Sequence, residues 1–266
     1  MDKLRTLDSK DLKLAINKCQ ESYKLAVDFL TNELPLSSKA YLPYNLQLTL
    51  LVIFFDVCPK PTIEQRDSLK RWFWITSLTS YFGSSNYTLM RQSVNNMKKY
   101  AETGYLEYIT INKTVNYHNF LNSQFSFKSA ASKTFALILA SKKPRSLLDG
   151  NPINTIETLA IINKNEYHHI FPKNFLSQIG VIKRKANLHT NVCMTSLSNN
   201  RSISDKAPSL YFQQIQQLLG DKTYDILETN FINREAFEMG LNNEYEKFII
   251  IRQNLISDYI KTLVEQ

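Results

Sequence analysis

Apolar residues recur along this chain at steps of three and four, and that period predicts helices over most of its length. Residues 10–32 place Leu12, Ile16, Tyr23, Val27 and Leu30 at helical spacing, with Asp8 or Ser9 as the cap and Pro35 as the stop. Leu42-Pro43-Tyr44 leads into a second helix, which runs to Phe55 and is ended by Pro59 and Pro61. Its segment Leu46 to Phe55 is the most apolar in the chain. Gln47 and Thr49 interrupt it and Asp56 ends it, so it reads as a buried helix too short to span a bilayer. Thr62-Ile63-Glu64-Gln65 has the form of a capping box, and the helix it opens runs through Leu69, Trp72, Phe73 and Leu78. Tyr87 to Tyr100 predicts a helix with Met90, Val94 and Met97 on one face, and Lys133 to Ala140 another, stopped at Pro144. Tyr105 to Ile111 fits a short strand or a short helix equally well.

The pattern changes after Asp149-Gly150-Asn151-Pro152, the densest turn signal in the chain. A boundary there predicts a helical domain over 1–150 and a second domain over 151–266. In the second, Tyr167 to Phe171 and Asn191 to Thr195 predict two short strands. Asn174 to Ile179 reads as a helical turn or two closed by Gly180, and Leu210 to Leu219 as a helix stopped by Gly220. Two long helical stretches end the chain. The last, Glu244 to Val264, sets Phe248, Ile251, Leu255, Tyr259 and Leu263 on one face. The fold class is therefore mainly α, with a short two-stranded element embedded in the second half.

Composition narrows this picture. In 266 residues, 43% hydrophobic and 12% aromatic content suffices for a real core and excludes a disordered chain. Only 6 glycines argue against a turn-dense all-β fold. Cys19, Cys58 and Cys193 form neither a disulfide framework nor a zinc ribbon and read as free thiols. Met1-Asp2-Lys3-Leu4-Arg5 opens no apolar leader, so the expectation is a soluble, cytoplasmic protein with no membrane partner. The net charge of +8 is compatible with a polyanionic partner. Arg71-Trp72-Phe73-Trp74 has the look of a base-stacking platform, but an aromatic face at helical spacing reads better as core.

The candidate chemistry concentrates in 165–206. His168-His169-Ile170-Phe171-Pro172-Lys173 ends the first predicted strand, Asn191 starts the second, and Asn199-Asn200-Arg201 opens the segment after it. Hydrolysis of a phosphodiester needs a base for water, a cation for the developing charge, and a rigid frame that aims both. A histidine titrating near neutrality suits the base, and strand, loop, strand, helix is such a frame.

His168-His169-Ile170-Phe171-Pro172-Lys173, Asn191 and Asn200-Arg201-Ser202-Ile203-Ser204-Asp205-Lys206-Ala207-Pro208 together resemble the HNH (ββα-metal, or His-Me finger) nuclease motif. They are most similar to its form in the C-terminal part of GmrSD-type modification-dependent (type IV) restriction endonucleases. Leu42-Pro43-Tyr44, Arg71-Trp72-Phe73-Trp74 and Tyr245-Glu246-Lys247-Phe248 with Arg252 resemble the helical parts of such proteins more weakly.

The resemblance implies a helical protein with an embedded HNH finger that cuts DNA in anti-phage defence. It implies His169 as general base, His168 and Asn200 as ligands of one divalent ion (Mg, Mn or Ni), and Asn191 as the residue bonding across the finger. Lys173, Arg201 and Lys206 become candidates for phosphate contacts. The implied partner is DNA, double-stranded and carrying phage modifications. A nucleotide-binding sensor is implied as well, on a separate subunit or in an N-terminal half of a longer chain, because six glycines form no phosphate-cradling loop here.

His168 stands where many HNH enzymes carry Asp, and imidazole favours transition ions over magnesium. Alternatives to this reading are a non-catalytic DNA-binding or regulatory module and an RNA-cleaving toxin. Within the motif, Asn199 competes with Asn200 as ligand. His189 is a third candidate ligand or a polar loop residue, and adjacent histidines in a strand face opposite sides unless the strand ends there.

Overall fold

The computed structural model describes residues 8–160, 167–195, 199 and 203–265. The protein is mainly helical. It divides into two compact units. One takes the chain up to Leu34 together with Tyr44–Thr114, and the other takes Pro35–Pro43 together with Val115–Glu265.

The first unit contains α1 (Ser9–Asn32), α2 (Asn45–Val57), α3 (Ile63–Leu78) and α4 (Tyr87–Thr103), followed by a 3-10 turn at Leu106–Tyr108. The caps follow from sequence. The Asp8 carboxylate accepts from Asp11 N, Thr62 and Gln65 cap α3 reciprocally, and Gly104 closes α4 in the left-handed region at φ 73°. Trp72, Phe73 and Trp74 are buried, as a core face requires. Gln47 lies fully buried in the apolar helix α2, where its Nε2 donates to Phe73 O, Thr76 Oγ1 and Ser77 Oγ. The first helix departs from the predicted face. It buries Ser22, Ala26, Phe29 and Leu30, while Leu12, Ile16, Tyr23 and Val27 stay exposed. Small residues at 22 and 26 let α2 approach closely, which a count of large apolar positions does not register.

The second unit begins with a 3-10 turn at Lys39–Tyr41. It continues with α5 (Tyr117–Leu121), α6 (Ala130–Ser141), α7 (Thr155–Thr158), β1 (Tyr167–His169), α8 (Lys173–Gln178), α9 (Lys183–Ala186) and β2 (Val192–Met194). It ends with α10 (Pro208–Leu219), α11 (Thr223–Glu228), α12 (Arg234–Leu241) and α13 (Tyr245–Val264). The turn at Asp149–Pro152 lies inside this unit, so the compact units part after Thr114 and not near residue 150. The reason is local. Arg145 N donates to Thr229 Oγ1 and Asn230 Nδ2 donates to Arg145 O, while α6, just before the turn, is buried from Thr134 to Ala140. A strong turn signal reports a reversal of the chain, not a loss of contacts across it.

The last helix also turns a different face inward. Tyr245, Phe248, Ile249, Arg252, Ile256 and Ile260 are buried, so only Phe248 of the predicted stripe is central. Arg252 occupies the middle of the buried stripe and hides it from a hydrophobicity pattern. Its guanidinium donates to Thr190 O, Val192 O and Asn230 O, which fastens α13 to the start of β2. Burial lowers its pKa to about 10, so it stays charged at neutral pH with backbone carbonyls as its hydrogen-bond partners. Among the described residues, no helix is long and apolar enough to cross a membrane.

Candidate active site

β1 and β2 pair antiparallel, Tyr167 opposite Met194, His168 opposite Cys193, and His169 opposite Val192. The strand is short because Pro172 comes after it and cannot continue a ladder. The hairpin therefore ends at His169, and both histidines reach one pocket of about 780 Å³. Phe125, Phe127, Tyr167, Lys173, Asn187 and Asp205 are among its other lining residues. His168 is buried with its ring edge-on to Tyr211, 6.4 Å between centroids, and Tyr211 in turn donates its hydroxyl to Ile170 O.

Asn191 sits in the 3-10 turn His189–Asn191 just before β2 and is fully buried. Its Oδ1 accepts from Phe171 N at 2.8 Å, and its Nδ2 donates to Phe171 O and Ala186 O, both at 2.9 Å. One side chain thus ties the loop after the histidines to the end of α9.

His169 is held by a residue that the motif does not name. Asn187 Nδ2 donates to Phe125 O at 3.0 Å, which turns Asn187 Oδ1 toward His169 Nε2, also at 3.0 Å. An oxygen partner requires Nε2 to carry the proton, so Nδ1 keeps the lone pair. Burial, then the neighbouring Lys173 charge, hold the imidazole pKa down at about 4, and only the Asn187 bond works the other way. The ring is neutral at physiological pH. The signal for Asn187 was absent from the sequence because its anchor, Phe125, is brought in by tertiary packing.

His189 is neither a ligand nor a polar loop residue. It is fully buried and stacks on Phe135 at 4.7 Å; its Nδ1 bonds Phe120 O and its Nε2 bonds Ser132 Oγ, each at 2.9 Å. Asn199 is buried and donates to Ser146 Oγ and Asp149 Oδ2, which occupies it with the turn before α7. Asn200 and Arg201, the second expected ligand and one expected phosphate contact, lie outside the described residues. Lys173 lines the pocket with its side chain partly covered. That partial burial and then the charge of Lys183 lower its pKa, so a second cation stands close by. Lys206 is exposed and is not among the lining residues, although its neighbours Ser204 and Asp205 are. Cys193 is fully buried, with its thiol pushed up to about 12 by burial, and all three cysteines are free.

The implied divalent ion can be weighed against these donors. Among the described residues, no three His, Cys, Asp or Glu side chains come together as a metal cluster. His168 presents an imidazole at the pocket wall, and Asp205 adds a carboxylate to the same lining. Two such donors on one pocket wall do not make a closed structural site, and a divalent ion there would need further ligands from water or from residues outside the described ones.

No family model matches the chain, and no solved structure matches it. An uncharacterized protein of Methanocaldococcus jannaschii is 27% identical over 254 residues, covering 85% of this chain and 42% of the relative. The chain spans less than half the length of that relative.

Proposed function

We propose that this chain is a cytoplasmic, HNH-type DNA endonuclease of a restriction system. The observation that carries the reading is the His169–Asn187–Phe125 relay at the end of a two-stranded hairpin. It supplies a neutral imidazole with a defined lone pair, on a frame clamped by Asn191, beside exposed lysines. Those are the parts that water activation at a phosphodiester needs from a protein.

In this reading His169 Nδ1 accepts a proton from water as the water attacks phosphorus. Asn187 keeps Nε2–H in place, and its carbonyl dipole stabilises the ring as it becomes imidazolium. Asn191 fixes the loop so that the ring does not swing away. Lys173 and the nearby Lys183 attract the strand through its phosphates without reading its sequence. His168, together with Asn200, would hold the divalent ion. When bound, that ion neutralises charge on the transferring phosphoryl group and the leaving oxygen. The proposal extends to a nucleotide-binding sensor, as partner or further domain, that licenses cutting.

Plasmid relaxation tests the reading. Wild type incubated with manganese, nickel or magnesium is expected to convert supercoiled DNA to open circles, and a chelator is expected to stop it. Intact supercoiled DNA in every metal, with and without the sensor, would remove catalysis and leave a DNA-binding module.

A further inference from the structure

We propose that the pocket beside His169 receives an unpaired nucleobase adjoining the scissile phosphate, stacked on the ring of Phe127. The position of the phosphate rests on the nuclease reading, whereas the base-binding wall stands on its own geometry. Phe125, Phe127 and Tyr167 form a corner of rings on the pocket lining, with centroids 5.1 Å (Phe125–Phe127), 5.1 Å (Phe125–Tyr167) and 5.2 Å (Phe127–Tyr167) apart. Phe125 and Phe127 stand at 76° to one another, so an inserted flat group can stack on one ring and meet the other edge-on.

The corner is pre-built. Phe125 N donates to Asn187 O at 2.8 Å, Gln124 is bridged to Leu188, and Ser126 N donates to Ser132 Oγ at 2.9 Å. Phe127 and Lys128 sit in a turn that Ser129 N closes by donating to Ser126 O at 2.9 Å, and residues 125–128 all line the pocket. Other rings of this unit, such as Phe120, Phe135, Phe171 and Phe248, are buried in the core, while Phe125 and Phe127 remain half-buried at the pocket. An apolar wall left open at a concave site marks a ligand surface.

Charge decides which ligand. Lys128 and Lys173 line the same pocket, and Lys183 is close enough to depress Lys173. Asp205 lines the pocket too, its Oδ2 accepting from Asn174 Nδ2 at 2.7 Å, and the two lysines of the lining outweigh its single charge. An aliphatic ligand would use the rings and not the lysines. A bare phosphate would use the lysines and not the rings. A nucleotide with its base freed from a helix uses both, because its base has a π face and its backbone is anionic. An intact duplex keeps its bases stacked inside and cannot offer one without opening.

The test is metal-free binding by the full chain carrying His169→Ala, so that no cutting intervenes. The probes are a mixed-sequence DNA single strand, the matching RNA strand, a DNA duplex with an internal gap and the intact DNA duplex, each bearing one fluorescent base analogue. The expected result is tighter binding of single-stranded and gapped DNA than of intact duplex. In the background carrying Phe127→Leu, which keeps apolar bulk and removes the aromatic face, affinity for the unpaired forms should fall about tenfold. Phe127→Tyr should retain it, and the salt dependence should be unchanged in both. Equal or better binding of intact duplex, an indifferent Phe127→Leu, or no binding of any strand overturns the proposal. A DNA–RNA difference that still depends on Phe127 supports the wall and identifies the polymer. Ring-dependent binding by a chain whose wild type never cuts keeps the wall and removes the nuclease reading; cutting without ring dependence does the reverse.

Discussion

His169 and His189 titrate alike and live differently. Both pKa values are held down at about 4, with burial the largest cause in each. His189 spends both ring nitrogens on Phe120 O and Ser132 Oγ and stacks on Phe135, sealed in the core. His169 spends one nitrogen on Asn187 and stands on a pocket wall beside Lys173. A depressed pKa therefore marks burial and not function; what separates the two residues is that His169 bonds through one ring nitrogen and lines a pocket, while His189 bonds through both and lines none of the pockets described.

The largest expected effect separates the two residues outright. His169→Ala should lower cleavage on the order of 100- to 10,000-fold while the melting temperature holds. His189→Ala should instead destabilise the fold by a few kcal/mol, through a cavity beside Phe135 and two unpaired polar groups, with cutting per folded molecule retained. Calorimetry and single-turnover cleavage check both arms.

Acid stability probes what the two histidines share. Their folded pKa values lie below the ordinary 6.5, so between pH 6.5 and pH 4 the unfolded chain binds protons that the folded chain refuses. Their contribution is whole above pH 6.5 and is lost as pH falls toward 4, at up to about 3 kcal/mol for each ring. Urea titrations across that range should show it, and His189→Gln should remove about half of the slope. A flat profile would contradict the burial of both rings.

Smaller effects act on His169 alone. Asn187→Ala should slow cleavage about 10- to 100-fold by freeing the tautomer and the ring. Asn187→Asp should raise the His169 pKa, because a carboxylate stabilises imidazolium, and move the acid limb of the pH–rate profile upward. Identical limbs in wild type and Asn187→Asp would detach Asn187 from the base. The smallest effect is the choice of ion. With an imidazole ligand at His168, manganese or nickel should support cutting as well as or better than magnesium, and a clear magnesium preference would argue against His168 as ligand.

Much of the helical frame was legible because caps and stops are local. Asp8, the Thr62–Gln65 box and Gly220 end or start helices by contacts within a few residues. The two short strands were legible for a similar reason, since the pattern that marks 167–169 and 192–194 lies within each stretch. What escaped depends on distant partners. Arg252 stays off an apolar stripe until three carbonyls from two other segments surround it, and its burial accounts for the different face that α13 turns inward. His189 reads as a loop residue until Phe135 covers it. Asn187 reads as nothing until Phe125 arrives from 62 residues earlier.

Chemical rescue tests most directly whether His169 is the proposed base. His169→Gly removes the imidazole and opens space at a pocket of about 780 Å³. Added free imidazole in manganese should restore a saturable part of the cleavage rate to His169→Gly, with no such gain for wild type or His189→Gly. A His169→Gly protein that stays folded and binds DNA, yet gains nothing from imidazole or cuts as fast as wild type without it, would contradict His169 as the base.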